Sequence, residues 1–327
     1  MLTWAVIGAG HWGTALAVYL ARQGRPVRLW GHNPDHLPGI PRGLDLAPLF
    51  PGLRRPHGLM VVPDWREAVL GADVLLLAVP SHALRNLLRS RAADRGSARI
   101  LVLASKGLER DGGARLDQVV AEEWPDRDLV VLSGPTFASD LVRGKPLAMA
   151  LASENYPLAE ALAAELRSNQ LRIYPGKDVA GVCLAGAIKN VLAIAAGISD
   201  GLDNGDSARA ALITRGLAEL HRLGTALGGR TETFMGLAGA GDLILTAASD
   251  LSRNRRFGLG IGRGEKKETI LARLGQEVEG VHSSFALFHL AQQLGIEMPI
   301  TEHVYRVLYE AEPPAAASHA LMCRGLA

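Results

Sequence analysis

The sequence predicts an N-terminal α/β domain built on a doubly wound parallel sheet, followed by an all-α C-terminal domain. Short apolar runs alternate with helical patterns over the first half of the chain, which is typical of a parallel sheet with helices on both faces. After Lys177 the strand patterns stop, and the pattern is helical almost to the end. Pro175-Gly176 lies at this change. We therefore expect a domain of residues 1–176 and a second of residues 177–327.

The composition is that of a globular protein. A chain of 327 residues with 48% hydrophobic and 21% charged residues can form two cores. A formal net charge of +2 gives no reason to expect a nucleic acid or an anionic membrane as the main partner. Only two cysteines, Cys183 and Cys323, are present, so we expect neither a disulfide framework nor a metal site. A reducing cytoplasm fits this composition best.

Targeting and membrane segments are not expected. The N-terminus MLTWAVIGAG has no basic stretch before its apolar residues, unlike a signal peptide. The longest apolar run near the middle is interrupted by Lys189 and Asn190, which leaves it short of the ~20 residues that a membrane span needs.

A glycine-rich turn follows the first strand. A strand at 3–7 and a helix at 14–23 flank Gly8-Ala-Gly10-His-Trp-Gly13. In this context GxGxxG is the fingerprint of a Rossmann-like dinucleotide-binding domain, whereas an isolated GxGxxG is weak. Gly8 permits a tight turn, Gly10 lets a pyrophosphate approach the backbone, and Gly13 lets the helix pack close to the sheet. The alternative is a purely structural strand-to-helix turn.

The end of the second strand, Val27–Trp30, indicates the type of dinucleotide. An Asp or Glu for the ribose 2′-hydroxyl is usual there in NAD-binding proteins, but Gly31-His32-Asn33 contains no acid. A 2′-phosphate would meet no repulsion and could face His32. We therefore favour NADP(H) over NAD(H), with a surface histidine as the alternative. The next stretch, 34–63, is rich in Pro and Gly and is predicted to be a long irregular loop.

Polar and glycine residues follow three further predicted strands. In parallel α/β sheets, ligands bind beyond the carboxyl ends of the strands. Lys106 follows one strand, and Gly134 and Thr136 follow the next. Lys106 is a candidate ligand-binding residue, with a solvated loop lysine as the alternative. The predicted strands are 72–79, 99–104 and 128–132, with 146–152 and 171–174 as candidates to complete the sheet, and the helices between the first three are 81–93 and 114–124.

A lysine lies within the most apolar predicted helix of the second half. The residues one turn away from Lys189 on either side are all apolar or small, so no solvated face is left for its ammonium group. Burial lowers the pKa of a lysine and makes it a plausible proton donor or acceptor near neutral pH. The alternative is a structural ion pair with a buried carboxylate. The predicted helices are 178–199, 207–227, 242–250, 266–274, 281–294, 299–311 and 313–324.

Two further motifs could serve a substrate. Asp242 follows a run of three glycines and could contact a substrate hydroxyl, pair with a lysine such as Lys189, or simply cap the next helix. Ser252, Arg253 and Asn254 offer a hydroxyl, a guanidinium and an amide in succession, a donor set suited to a phosphate. The alternative for this second motif is a basic loop.

Many ordered motifs together resemble the bacterial-type NAD(P)-dependent glycerol-3-phosphate dehydrogenase family over nearly the whole chain. They include GAGHWGTALA, ASKGLE, LSGPTFA, GAIKNVLAIAAGISDG, TFMGLAGAGDLILT and SRNRRFG. The resemblance implies reversible hydride transfer between NAD(P)H and C2 of dihydroxyacetone phosphate, giving sn-glycerol 3-phosphate for phospholipid synthesis. It also implies that the helical domain binds the substrate. The sequence leaves the oligomeric state open, with a homodimer as one candidate.

The resemblance also implies roles for individual residues. Lys189 is similar to the proton donor and acceptor of the family. The positions that resemble substrate-contacting ones are Lys106, Gly134, Thr136, Asp242, Ser252, Arg253 and Asn254. Those that resemble cofactor-contacting ones, besides the glycine turn, are His11, Trp12, His32, Lys106, Ala138, Arg253 and Glu279.

Two other functions remain open from the sequence. A related two-domain dehydrogenase could act on a carboxylated β-hydroxyacid, although the phosphate-type donor set at 252–254 argues against it. A nucleotide-sensing protein could keep the fold without the chemistry, but such a sensor would need neither Lys106 nor Lys189.

Overall fold

The structure, a computed structural model, describes residues 1–33, 46, 49–110, 112–275 and 277–323. It divides into two compact units. The first comprises Met1–Ser105, Asp117–Leu132 and Thr136–Val179, and the second comprises Lys106–Leu116, Ser133–Pro135 and Ala180–Ala327. Two short segments that follow strands of the sheet thus belong to the helical unit. The division at residue 176 stays a prediction.

The first unit contains an eight-stranded sheet in the order β3-β2-β1-β4-β5-β6-β7-β8. The order reverses at β1, which pairs in parallel with both β2 and β4. This reversal is the switch point of a doubly wound sheet, so the Rossmann-like prediction is confirmed. The strands are β1 Trp4–Ile7, β2 Val27–Trp30, β3 Leu59–Val62, β4 Val74–Leu77, β5 Ile100–Leu103, β6 Asp128–Ser133, β7 Leu147–Ala152 and β8 Leu171–Gly176.

Helices cover this sheet and complete its core. Apolar side chains of β1, β2, β4, β5 and β6 form one hydrophobic cluster with those of α1 and α6. The helices are α1 His11–Arg22, α2 Trp65–Val69, α3 Leu84–Ser90, α4 Leu116–Glu123, α5 Ala138–Val142 and α6 Tyr156–Leu166, with a short 3-10 turn at Ser81–Ala83.

Strand β3 corrects the prediction of an irregular loop over 34–63. Leu59 and Val62 are buried, and β3 pairs in parallel with β2 at the end of the sheet order. The apolar run of this strand is only four residues long and follows a Pro- and Gly-rich stretch, which hid it in the sequence. Residues 34–45, 47 and 48 of the predicted loop lie outside the described residues.

The second unit is helical. It is formed by α7 Val179–Gly201, α8 Gly205–Ala226, α9 Thr231–Met235, a π-helical turn at Leu237–Gly241, α10 Asp242–Ala248, α11 Arg253–Gly262, α12 Lys267–Leu274, α13 Glu279–Leu294, α14 Pro299–Tyr309 and α15 Pro314–Cys323. The sequence patterns missed α9 and also α11, whose first turn carries the donor set at 252–254.

Helices α7 and α11 cross with their backbones in contact. A Cβ atom on Gly197 would lie 2.1 Å from the carbonyl oxygen of Arg255, and one on Gly258 would lie 2.1 Å from that of Ile194. No side chain fits at either crossing point, so the two helices lie closer together than side chains would allow.

Among the described residues, α7 is the one helix long and apolar enough by itself to cross a membrane, and 94% of its most apolar window is buried inside the protein. The segments Thr231–Ala248 and Arg253–Gly262 are bent by 48° relative to each other, and together they would also be long and apolar enough to cross a membrane. The prediction that the apolar run around Lys189 is too short to span a membrane is therefore wrong. Core helices of globular proteins can be equally long and apolar, and the burial of α7 identifies it as a core helix.

Candidate active site

Lys189 lies in the middle of α7 and is buried, as the sequence predicts. Only 6% of the surface of this residue is exposed to solvent. The Nζ atom donates to Oδ1 of Asp242 at 2.5 Å and to Oγ1 of Thr246 at 3.1 Å. The predicted pairing of Asp242 with Lys189 is confirmed.

A second lysine shares the same carboxylate. Asp242 is 0% exposed, and its Oδ2 atom accepts from Nζ of Lys106 at 2.7 Å. The same Nζ atom donates to the carbonyl oxygen of Gly134 at 3.2 Å. Gly134 thus contributes its carbonyl oxygen to this cluster. One buried carboxylate therefore holds two ammonium groups.

The electrostatics of this cluster set the protonation of its members. Burial lowers the pKa of Lys189 to about 7, the charge of Asp242 opposes this change, and the nearby Lys106 adds to it. Burial by itself would raise the pKa of Asp242, but the two ammonium groups outweigh it and hold that pKa below the ordinary value. At neutral pH the carboxylate is charged, and Lys189 can give or take a proton.

The local fold explains how Asp242 reaches the lysines. The π-helical turn at Leu237–Gly241 widens the chain just before α10, a feature frequent at functional sites. Gly239 is required there, because a Cβ atom would lie 2.1 Å from the carbonyl oxygen of Phe234. Gly241 is the N-cap of α10, and the Asp242 side chain bonds to lysines instead. The interpretation of Asp242 as a helix cap is wrong.

The donor set at 252–254 forms the first turn of α11. Ser252 is the N-cap, and its Oγ atom accepts from the backbone N–H of Arg255 at 3.2 Å. This hydroxyl therefore serves the helix. The first turn of a helix of this length, with a guanidinium at its first position, is a place where anions bind. The alternative of a basic loop is wrong, because the segment is helical.

Both polar atoms of the Asn254 side-chain amide form hydrogen bonds within the protein. Its Nδ2 atom donates to Oδ1 of Asn190 at 2.9 Å, and its Oδ1 atom accepts from the backbone N–H of Gly280 at 2.9 Å. These bonds tie the start of α11 to α7 and to the start of α13. In this structure the amide of Asn254 positions helices.

Arg253 and Glu279 are close enough to influence each other. Burial lowers the pKa of Arg253, and the negative charges of Glu279 and Glu277 oppose this change, while Arg256 adds to it. Glu279 is the first residue of α13, next to Gly280. The structure thus brings together two residues that the resemblance implies contact the cofactor.

The glycine turn of the first unit has the geometry that the sequence predicts. Gly8 has φ of 116°, and a Cβ atom there would lie 2.6 Å from the carbonyl oxygen of Ala78. A Cβ atom on Gly13 would lie 1.9 Å from the carbonyl oxygen of Gly8, so helix and strand pack backbone to backbone. Gly10, the N-cap of α1, has nothing within 4 Å of such a Cβ atom. Its side of the turn is open to a ligand.

The residues beside this turn also fit a dinucleotide. His11 and Trp12 are the first two residues of α1, and the buried Nε1 atom of Trp12 has no hydrogen-bond partner among the described residues. A bound group could satisfy this donor. His32 is exposed just beyond β2, with its ring 6.5 Å from that of Trp30.

The last two predicted contacts of the first unit lie beyond β6. Thr136 follows the end of that strand, and Ala138 is the first residue of α5, which packs against α1. Both residues are half-buried.

Two family models together match most of the chain. The model of the NAD-dependent glycerol-3-phosphate dehydrogenase N-terminus matches residues 3–159, and that of the C-terminus matches residues 178–319. The chain belongs to this dehydrogenase family.

Individual relatives of the family cover almost the whole chain. A glycerol-3-phosphate dehydrogenase of Acidithiobacillus ferrooxidans, named for NAD(P)+, is 62% identical over 99% of this chain and 94% of its own length. Another, of Thioalkalivibrio sulfidiphilus, is 50% identical over 93% of this chain and 92% of its own. The crystal structure of the glycerol-3-phosphate dehydrogenase of Coxiella burnetii matches with a TM-score of 0.95 at 40% identity, covering 99% of both chains.

Two residues that hydrogen-bond to the predicted site residues were not themselves predicted. Thr246 donates through Oγ1 to the backbone carbonyl oxygen of Asp242 at 2.6 Å and contacts Lys189. It lies four residues after Asp242 on α10, so helical spacing could have revealed it. Asn190, which follows Lys189, donates to the carbonyl oxygen of Gly186 at 3.2 Å and accepts from Asn254.

Proposed function

We propose that this protein catalyses the reversible reduction of dihydroxyacetone phosphate to sn-glycerol 3-phosphate with NAD(P)H. The observation that carries the proposal is the buried lysine pair on Asp242, whose member Lys189 has a pKa lowered to about 7. The reduction of a carbonyl group requires, beside the reacting carbon, a group that can exchange a proton at neutral pH. The family and its NAD(P)+-named members agree with this reaction.

When bound, the reduced cofactor would donate a hydride to C2, and in the reverse reaction the oxidised cofactor would accept a hydride from C2. We assign its binding to Gly8, Gly10 and Gly13 of the turn and, by the family resemblance, to His11, Trp12, His32, Lys106, Ala138, Arg253 and Glu279. The open side of Gly10 and the unpartnered Nε1 atom of Trp12 support this assignment. We propose a preference for NADP(H), because no carboxylate follows β2 at 31–33.

Lys189 is the residue we assign to proton transfer. Reduction turns the carbonyl oxygen on C2 into an alkoxide, which the Lys189 ammonium stabilises and protonates. The reverse reaction needs the neutral amine. Asp242 holds the Lys189 side chain in place, and its negative charge opposes the lowering of the Lys189 pKa by burial. Lys106, held by Asp242 and Gly134, adds positive charge to the same cluster.

The substrate phosphate is assigned to the first turn of α11. Ser252, Arg253 and Asn254 occupy the N-cap and the first two helical positions. A helix N-terminus with a guanidinium suits a phosphate. We add Gly134 and Thr136 as further substrate contacts from the resemblance. Holding the phosphate fixes C2 for reaction.

We further propose that the product supplies glycerophospholipid synthesis, that the protein is cytoplasmic, and that it forms a homodimer. Residues 1–176 bind the cofactor and residues 177–327 bind the substrate as domains.

The test is the loss of NADPH absorbance on adding dihydroxyacetone phosphate, repeated with NADH at equal concentration. We expect rapid oxidation, faster with NADPH. A carboxylated β-hydroxyacid substrate, offered in competition, is expected to react more slowly. Folded protein that binds nucleotide yet oxidises neither cofactor, or that prefers the hydroxyacid, would refute the proposal.

A further inference from the structure

Arg255 is set apart from the other arginines of the SRNRR motif by its partners. Its Nε and Nη2 atoms donate to Oδ2 of Asp200 at 2.8 and 2.6 Å. Its Nη1 atom donates to Oδ1 of Asp250. The guanidinium is thus engaged by two carboxylates of the protein itself, and we do not count it among the phosphate donors.

Asp200 is a buried carboxylate with one arginine on each oxygen. Its side chain is 8% exposed, Oδ2 accepts from Arg255, and Oδ1 accepts from Arg209 of α8 at 2.8 Å. Asp200 lies in the last turn of α7, the helix that carries Lys189. The ion pair between Asp200 and Arg255 therefore joins α11 to α7, and Asp200 lies eleven residues after Lys189 in the sequence.

The position of Arg255 within α11 matters. It is the third residue of the helix, and its backbone N–H is the group that Ser252 caps. Asp250, its other partner, lies in the turn that leads into the helix. One side chain thus connects the entering turn, the capped first turn and α7.

We propose that Arg255 and Asp200 are positioning residues that hold the first turn of α11 at the correct place for the substrate phosphate. The inference rests on the proposed function. The glycine contacts between α7 and α11 set how closely the helices approach, and the ion pair sets how the first turn is oriented. A misplaced anion site costs rate only for substrates that carry the anion.

The test compares two substrates that differ only in the phosphate. The kcat and KM values for dihydroxyacetone phosphate and for dihydroxyacetone are measured with saturating NADPH in Asp200→Asn, Arg255→Lys and the unaltered protein. The control is Asp206→Asn, which removes an exposed carboxylate that pairs with Arg209 and not with Arg255. Thermal unfolding and competitive inhibition by inorganic phosphate are measured for each variant.

We expect both variants to lower kcat/KM for dihydroxyacetone phosphate by roughly tenfold to a hundredfold and to leave that for dihydroxyacetone unchanged. Inhibition by inorganic phosphate should weaken by a similar factor, and the control should match the unaltered protein. If Asp200→Asn fails to fold, Arg255→Lys, which keeps the charge but loses the planar fork, carries the test.

Three results would overturn the inference. An equal loss with both substrates would indicate a general structural role, and no loss with either would indicate no role. A loss in Arg255→Lys alone, with Asp200→Asn folded and active, would mean that Arg255 contacts the phosphate itself. An unaltered protein that does not prefer the phosphorylated substrate would instead refute the proposed function.

Discussion

The substitution Asp242→Asn tests the proton-transfer assignment through the pH dependence of the reaction. Asp242 attracts the Lys189 ammonium across 2.5 Å, and this attraction raises the pKa of Lys189 against the effect of burial. Two unit charges about 3 Å apart attract by roughly 5 kcal/mol at an effective dielectric constant of about 20, and about 1.4 kcal/mol corresponds to one pKa unit. With relaxation of the site, we expect the pKa of Lys189 to fall by about two units or more.

Whether the rate rises or falls with pH depends on the protonation state of Lys189 that each direction of the reaction requires. Reduction needs the ammonium, so its rate in the unaltered protein should fall as the pH rises through about 7. Oxidation needs the amine and should rise over the same interval. In Asp242→Asn the fall in reduction should move to lower pH, leaving little activity at neutral pH.

The assay is the pH profile of kcat/KM for dihydroxyacetone phosphate reduction, with Asp206→Asn as an exposed carboxylate control. Thermal unfolding reports whether Asp242→Asn is folded. A folded variant whose profile falls at the same pH as that of the unaltered protein would refute the electrostatic argument.

Four further substitutions test the proton donor, the cofactor preference and the glycine turn. Lys189→Ala should bind NADPH normally, by fluorescence titration, yet lose most turnover, because the proton donor is gone; near-normal turnover would contradict the assignment. His32→Asp should lower kcat/KM for NADPH about tenfold through repulsion of the 2′-phosphate and leave NADH unaffected; equal changes with both cofactors would exclude a role at that phosphate. Gly13→Ala should lose about 3 kcal/mol of stability in denaturant unfolding, because its Cβ atom would lie 1.9 Å from a carbonyl oxygen. Gly10→Ala, whose Cβ atom meets nothing within 4 Å, should keep its stability and lose cofactor affinity; the opposite ranking of the two glycine variants would overturn the assigned roles.

The buried lysine could be predicted because helical geometry depends on local sequence alone. With apolar or small residues one turn away on both sides, Lys189 has no solvated face in any helical packing. The contact of Lys106 with Asp242 could not be predicted in the same way, because 136 positions separate them and only the tertiary fold brings them together. The same holds for the bonds that Asn254 makes to α7 and α13.

Neighbouring arginines illustrate a second limit. Arg253 and Arg255 look equivalent in the motif SRNRR, but in a helix they point in directions about 200° apart. Arg255 therefore meets Asp200. Arg253 is influenced by the acids near the start of α13. The sequence patterns did not predict α11, so this difference was hidden.

The apolar character of α7 has a consequence during synthesis. Its partners α10 and α11 come later in the chain, so the helix is made before the groups that bury it and pair its lysine. A lysine at the centre of an apolar segment raises the free energy of translocon-mediated insertion by about 2.5–3.5 kcal/mol. We expect Lys189 to oppose recognition of the nascent helix as a membrane anchor. In a microsomal insertion assay, Lys189→Leu should insert the segment 179–201 more often, and equal insertion would contradict this expectation.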